Sequence, residues 1–308
     1  MSNVVKISVV IPTYNKLPRL RLTLLSLEYQ SIEPSWYEVV IVDDGSTDGT
    51  VAYCNSVQKR MNIKVISIEN NGRSFARNIG VKNAEGKWII FIDDDLILPR
   101  DFIKFHLMKL QKSRFCGIHG QIRDLTYLKF FQDPVNGERI QEYQGKDIDL
   151  SGLSEYLIRE DRIVAGDMSI LFLQSKLSRL EKVIETVVTN NLHDLIWLAM
   201  TGGNFSIYKD IFLDVGGFDT DFGGIWGCED FELGYRLQQE GVSFEYQTDC
   251  VNFHMTHLRK YMSNDIQLSL PIFYHKHKNP YVRDLWKLLV GEYRNVNDYI
   301  TYVKRNER

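Results

Sequence analysis

Asp93, Asp94 and Asp95 stand side by side directly after the apolar run Trp88–Ile92. Three adjacent carboxylates repel one another unless a cation neutralises them. In an extended segment alternate residues point the same way, so Asp93 and Asp95 are placed to share one ion while Asp94 faces elsewhere. Oxygen ligands of this kind favour Mg²⁺ or Mn²⁺, ions that bridge a diphosphate. A solvated acidic turn is the plain alternative, and the apolar run before the triplet argues against it. His254 and His257 follow another apolar stretch in VNFHMTH. A histidine beside apolar residues is ordinarily core. An incomplete divalent site nevertheless makes His254, the nearer to the expected strand end, the preferred extra ligand.

Glu229 and Asp230 open the segment EDFELGYRL. At a helix N-terminus the dipole keeps carboxylates ionised, and an ionised carboxylate beside a reacting hydroxyl is a suitable general base. Trp226, three residues earlier, offers a flat apolar face on which a sugar ring can stack. Helix capping by Asp230, with Trp226 in the core, accounts for the same residues structurally. Pro12-Thr13-Tyr14-Asn15 and Asp43-Asp44 end two further apolar runs. A carboxylate there can accept from a nucleobase N–H, and Tyr14 can stack on the base. Asn70, Gly72 and Arg73, with Arg77 and Asn78, supply cations and a flexible backbone suited to a diphosphate. Ordinary turn chemistry uses the same residue types.

The elements that must position these residues follow from the apolar pattern. Lys6–Ile11, Glu38–Val42, Lys64–Ile68 and Trp88–Ile92 are short runs rich in β-branched residues, each ending in a polar cluster: buried strands. Pro18–Gln30, a segment from about Thr50, and Ser74–Asn83 alternate with them as helices. This rhythm predicts an α/β fold, a mostly parallel, Rossmann-like sheet flanked by helices, whose ligands bind beyond the carboxyl ends of the strands. Later, Phe205–Ile207 precedes a helix Lys209–Val215, and Asp230–Gln239 is helical. Ser243–Tyr246 and Cys250–Phe253 read as two strands, and the chain after Met255 as helical. Between Gly120 and Trp197 the pattern weakens, with polar loops at Gln132–Asp149 and helical stretches at Leu153–Arg159 and Leu173–Val188.

At 308 residues and 44% hydrophobic, the chain has material for one large α/β domain. A net charge of −3 and only a short basic run at His275–Lys278 exclude a nucleic-acid binder. Cys54, Cys116, Cys228 and Cys250 form no CxxC pair. With no secretory profile in Met1–Lys6 they read as reduced thiols in a cytoplasmic protein, peripheral membrane contact remaining open.

Taken together, VVIPTYN, VVIVDDGSTDGT and NGRSFARNIGVKNAEGKWIIFIDDD resemble the inverting GT-A glycosyltransferases of family 2. GGNFSIYKDIFLDVGGFD and IWGCEDFELGYRL are similar to the galactosyltransferase-type module of chondroitin-polymerase-like and N-acetylgalactosaminyltransferase-like enzymes. The resemblance implies a GT-A domain over residues 1–258, with a nucleotide-binding half (1–100) and an acceptor and catalytic half (101–258). A helical extension covers 259–308. It implies a UDP-sugar donor held by Pro12, Thr13, Tyr14, Asn15 and Asp44, with Asp94 near the ribose and Arg73 or Arg77 at the diphosphate. Asp93, Asp95 and His254 would hold Mn²⁺ or Mg²⁺. Gly203, Asn204 and Trp226 would line the sugar and acceptor pocket. Glu229 would hold hydroxyls of donor or acceptor, and Asp230 would be the base. The acceptor (carbohydrate, lipid-linked, peptide or small metabolite) stays open.

Two other readings compete. Haloacid-dehalogenase-like phosphatases also place DxD after an apolar strand, but near the chain start and with partners missing here. A glycosyltransferase-like protein that binds sugar nucleotides without turnover need not retain DxD, Glu229-Asp230 and His254 together.

Overall fold

The computed structural model describes residues 5–140, 152–225, 227–258 and 262–307. Strands β1 (Ile7–Thr13), β2 (Tyr37–Asp43), β3 (Ile63–Ser67) and β4 (Trp88–Phe91) alternate with helices α1 (Leu17–Glu28), α2 (Thr50–Val57) and α3 (Arg73–Asn83). All four strands run parallel in the order β3-β2-β1-β4. Their side chains alternate between two cores. Val9, Ile11, Val39 and Ile41 pack with α1, and Val10, Val40 and Val42 pack on the opposite face. Both faces of β1, β2 and β4 are thus covered, which is why they read as unbroken apolar runs. β3, expected as a buried strand, is instead the partly exposed edge strand of the sheet.

The sheet continues through β8 (Phe205–Tyr208), β6 (Cys116–Asp124), β9 (Ser243–His254) and β5 (Leu96–Ile97). β8 is antiparallel to both neighbours, β4 and β6. A two-residue β7 (Lys176–Leu177) pairs β6. α4 (Phe102–Leu110) packs beneath the second half of the sheet. Two expectations are corrected. Ser243–Tyr246 and Cys250–Phe253 belong to one strand, with an irregular register opposite Gly120–Ile122. Leu173–Val188 is not one helix: Ser169–Gln174 ends before β7, and a new helix runs from Arg179 to Thr189.

Helix Glu229–Gln239 crosses the edge of the site, and helices Met262–His277, Pro280–Arg283, Leu285–Val290 and Val296–Asn306 follow. Phe273, Leu285, Tyr299 and Val303 of these join the same core cluster as Phe91 and Phe205. No helix among the described residues is long and apolar enough to cross a membrane.

Candidate active site

β9 lies between β5 and β6, and this places the metal-type ligands. His254 is in register with Leu96, the residue after Asp95, on one side and with Asp124 on the other. Asp95, His254 and His257 offer ligand atoms within 4.8 Å of one another. His254 Nε2 is 3.6 Å and His257 Nε2 3.2 Å from Asp95 Oδ2. The Asp124 carboxylate meets His254 Nδ1 at 2.8 Å, fixing the ring so that Nε2 turns toward Asp95. Arg19 of α1 braces the backbone between the two histidines, donating from Nε to the Met255 carbonyl. Burial would raise Asp95, but His254 and Lys16 hold it well below the usual carboxylate range. His254, lowered by burial, is lifted to about 9 chiefly by Asp95. Asp95 Oδ1 is buried without a hydrogen-bond partner among the described residues. One carboxylate with an orphaned oxygen and two imidazoles therefore fit a divalent cation.

Asp93 does not join this group. β4 ends at Phe91 and the chain turns at Asp94–Asp95, so the alternation assumed for an extended DxD is lost. Asp93 Oδ1 instead takes 2.8 Å to Arg77 Nη2, while Asp94 accepts from the Thr13 hydroxyl at 2.7 Å. Burial pushes Asp94 up to about 7.

Arg77 of α3 is the hub of the site. Its side chain is 2% exposed and meets Asp93, Asp230 (Nη1 to Oδ1, 3.0 Å) and Glu229 (3.8 Å). Gly202 lets it lie there, because a Cβ at that position would stand 2.1 Å from Nη2. Asp230 is also fixed by the Gly202 N–H at 2.8 Å, and burial carries its pKa up to about 6 against the pull of Arg77. Glu229 accepts from the Gly227 N–H and faces Arg73 at 3.3 Å. Asp93, Arg73, Arg77, Gly203, Asp230, Asp124 and both histidines line one cavity of about 570 Å³.

Other sequence-derived residues fall elsewhere. Asn204 is fully buried, bonded to His106 Nε2 and to the Cys250 carbonyl, and holds the sheet together instead of lining the cavity. Glu229 is buried against the two arginines and is not part of the cavity wall. Arg77 is engaged internally, which leaves Arg73, with a side chain 34% exposed, as the more accessible cation. On the nucleotide side Asp44 accepts from the Asn71 and Gly72 N–H groups at 2.8 and 3.0 Å, shaping the turn into α3. Asn15, at φ 51°, accepts from the Thr47 N–H. Tyr14 is half exposed and directly follows Pro12 and the buried Thr13 at the end of β1. Trp226 lies outside the described residues. Asp124 and His257 complete the histidine cluster without having been selected from the sequence. Asp124 sits in GQIRD, a polar strand end whose meaning depends on a partner 130 residues away.

The glycosyl transferase family 2 model matches residues 8–157, and that of the N-terminal domain of galactosyltransferase matches residues 189–260. Validoxylamine A glucosyltransferase of Streptomyces hygroscopicus subsp. limoneus is 30% identical over 280 residues, 90% of this chain; the chain spans only 58% of that relative's length. Among solved structures, mannosyltransferase PcManGT from Pyrobaculum calidifontis, in complex with GDP-Man and Mn²⁺, aligns at a TM-score of 0.58 and 17% identity over 92% of this chain and 70% of its own. S. aureus TarS 1–349 in complex with UDP-GlcNAc aligns at 0.56 and 17% over 92% and 72%. The structural likenesses establish the GT-A fold. The two segments follow one another in order: residues 8–157 match family 2 glycosyltransferases, and residues 189–260 a galactosyltransferase-type segment.

Proposed function

We propose that the chain moves a sugar from a UDP-sugar to an acceptor hydroxyl with inversion at the anomeric carbon, Asp230 acting as base. One observation carries the reading: Asp230 lines the same cavity as Asp93 and His254, oriented by Arg77 and the Gly202 N–H. A carboxylate raised to about 6 is ionised at neutral pH yet basic enough to accept a proton from an alcohol in the transition state. The acceptor oxygen forms its bond to the anomeric carbon as the bond to the diphosphate breaks. The proton goes to Asp230 and UDP leaves. Arg73, at the N-terminus of α3, is the cation best exposed to meet the departing charge.

Asp95, His254 and His257 would hold the divalent ion, which supplies Lewis-acid stabilisation of the diphosphate when bound. Two imidazoles favour Mn²⁺ over the harder Mg²⁺. Asp44, Tyr14 and the end of β1 would hold the uracil. UDP-GlcNAc in one solved relative and GDP-Man with Mn²⁺ in another support a nucleotide-sugar donor.

The test is release of UDP from a panel of UDP-sugars with Mn²⁺ or Mg²⁺, then with EDTA, in wild type and Asp95→Ala. Slow release from one donor, abolished by EDTA and by the substitution, is the expected result. No release from any donor, together with no donor binding by calorimetry, overturns the UDP assignment.

A further inference from the structure

The cavity does not stop at Asp230. The same 570 Å³ space continues to Leu180, to Ile266 and Leu270 of helix Met262–His277, and to Trp286, Leu289 and Val290 of helix Leu285–Val290. That last helix has two apolar faces. Leu285 and Leu288 are fully buried in the core, whereas Trp286 and Leu289 are half-buried and Val290 is 46% exposed. Residues 286, 289 and 290 fall on one side of a helix. Trp286 and Leu289 rest part of their surface on the core, and the remainder, with Val290, lines the space that leads to Asp230.

The polar groups on this far wall are already engaged. Arg179 donates to the carbonyls of Leu288 (2.9 Å) and Tyr293 (2.7 Å). Glu181, buried, accepts from the Ile122 N–H at 3.1 Å and meets His119 Nε2 at 3.2 Å. Sugar hydroxyls placed against this wall would lose water without gaining partners, whereas an apolar group would gain by displacing water. Sites for small molecules measure about 300–1,000 Å³. The cavity thus has room beyond the one ring that meets Asp230.

We propose that this far end is an acceptor subsite for an apolar aglycone, an alkyl or aryl substituent on the sugar-accepting ring. The inference rests on the reading of Asp230 as the base, because that fixes which end of the cavity holds the hydroxyl. The occupant follows from continuity: an apolar wall that runs on from the space around Asp230 is met by the molecule that reaches Asp230.

The test compares methyl, n-hexyl and phenyl β-D-glucosides, which share a head group, for binding to the full chain saturated with UDP and Mn²⁺. Binding is followed by calorimetry and saturation-transfer NMR. The hexyl and phenyl forms are expected to bind about tenfold or more tightly than the methyl form, since each buried methylene contributes about 0.8 kcal/mol. Trp286→Ala and Leu289→Asn should each remove most of that gain while leaving UDP affinity unchanged, which also shows that the variants fold. Equal binding of all three glucosides, undetectable binding of all three, or a gain that survives both substitutions overturns the subsite. Failure of UDP itself to bind wild type would instead overturn the donor assignment, so the two failures are distinguishable.

Discussion

Arg77 sets the charge balance on which the chemistry depends. Burial lowers its pKa, but Asp230, Asp93 and Glu229 more than compensate, and the guanidinium stays charged. Under the proposed mechanism Asp230, raised to about 6 by burial, is protonated and unable to serve as the base below that pH and ionised above it. Transfer should therefore fall about tenfold per pH unit on the acid side of 6 and level off above it, read from initial rates across that range. Asp230→Asn should lower kcat by about 10²- to 10⁴-fold with little change in UDP affinity. A variant with wild-type kcat would assign the base elsewhere. Under the same proposal Asp124 is a positioning residue, acting through its contact with His254 Nδ1. Asp124→Asn keeps a hydrogen-bonding group but loses the charge that orients the imidazole. Mn²⁺ affinity, measured by the paramagnetic resonance of free Mn²⁺, should weaken about 10- to 100-fold. Unchanged affinity would mean that His254 needs no such support.

The turn between β3 and α3 illustrates how far local sequence reaches. Gly72 adopts φ +89°, and a Cβ there would stand 2.2 Å from the Gly223 carbonyl oxygen, so the α3 entrance is seated against the loop that leads to Glu229. Gly72→Ala combines left-handed strain with a backbone clash and should cost about 1–3 kcal/mol, seen as a lower urea midpoint at unchanged m-value. The four leading strands and their helices were legible because each strand is a short run rich in β-branched residues closed by a polar or Pro-containing cluster, signals that act within a few residues. β9 was not legible as one strand. Thr248 and Asp249 look like a break, yet they face solvent while the ladder with β6 shifts register and continues. The candidate site divides in the same way. Asp95, His254 and Asp230 announce themselves by residue type at element ends. Asp124 matters through cross-strand register, Arg77 through burial among carboxylates, and Asn204 is withdrawn from the cavity by its bond to His106. None of these is a property of neighbouring residues.

The helices from Met262 to Asn306 pack into the same core cluster as the sheet that holds the site. Glu232, in helix Glu229–Gln239 only two residues past Asp230, is buried and accepts from Arg236 at 2.8 and 2.7 Å. His277 of helix Met262–His277 meets the same carboxylate at 2.7 Å. Arg236 goes on to the carbonyls of Val215 and Gly217, so this cluster ties the helix carrying Asp230 to the loop that precedes it and to the tail. Trp197 stacks edge-on against both Phe231 and Phe273, adding an apolar joint at the same place. If the two halves and the tail share one core, urea unfolding followed by circular dichroism and by tryptophan fluorescence should give a single, coincident transition. Glu232→Ala should then cost about 1–3 kcal/mol, because Arg236 and His277 both lose the buried carboxylate they share, and it should move the whole transition. A separate early transition in the variant, with the main one unmoved, would mean that the tail docks as an independent unit. The far wall of the cavity would then be a hinged surface and not a fixed part of the site.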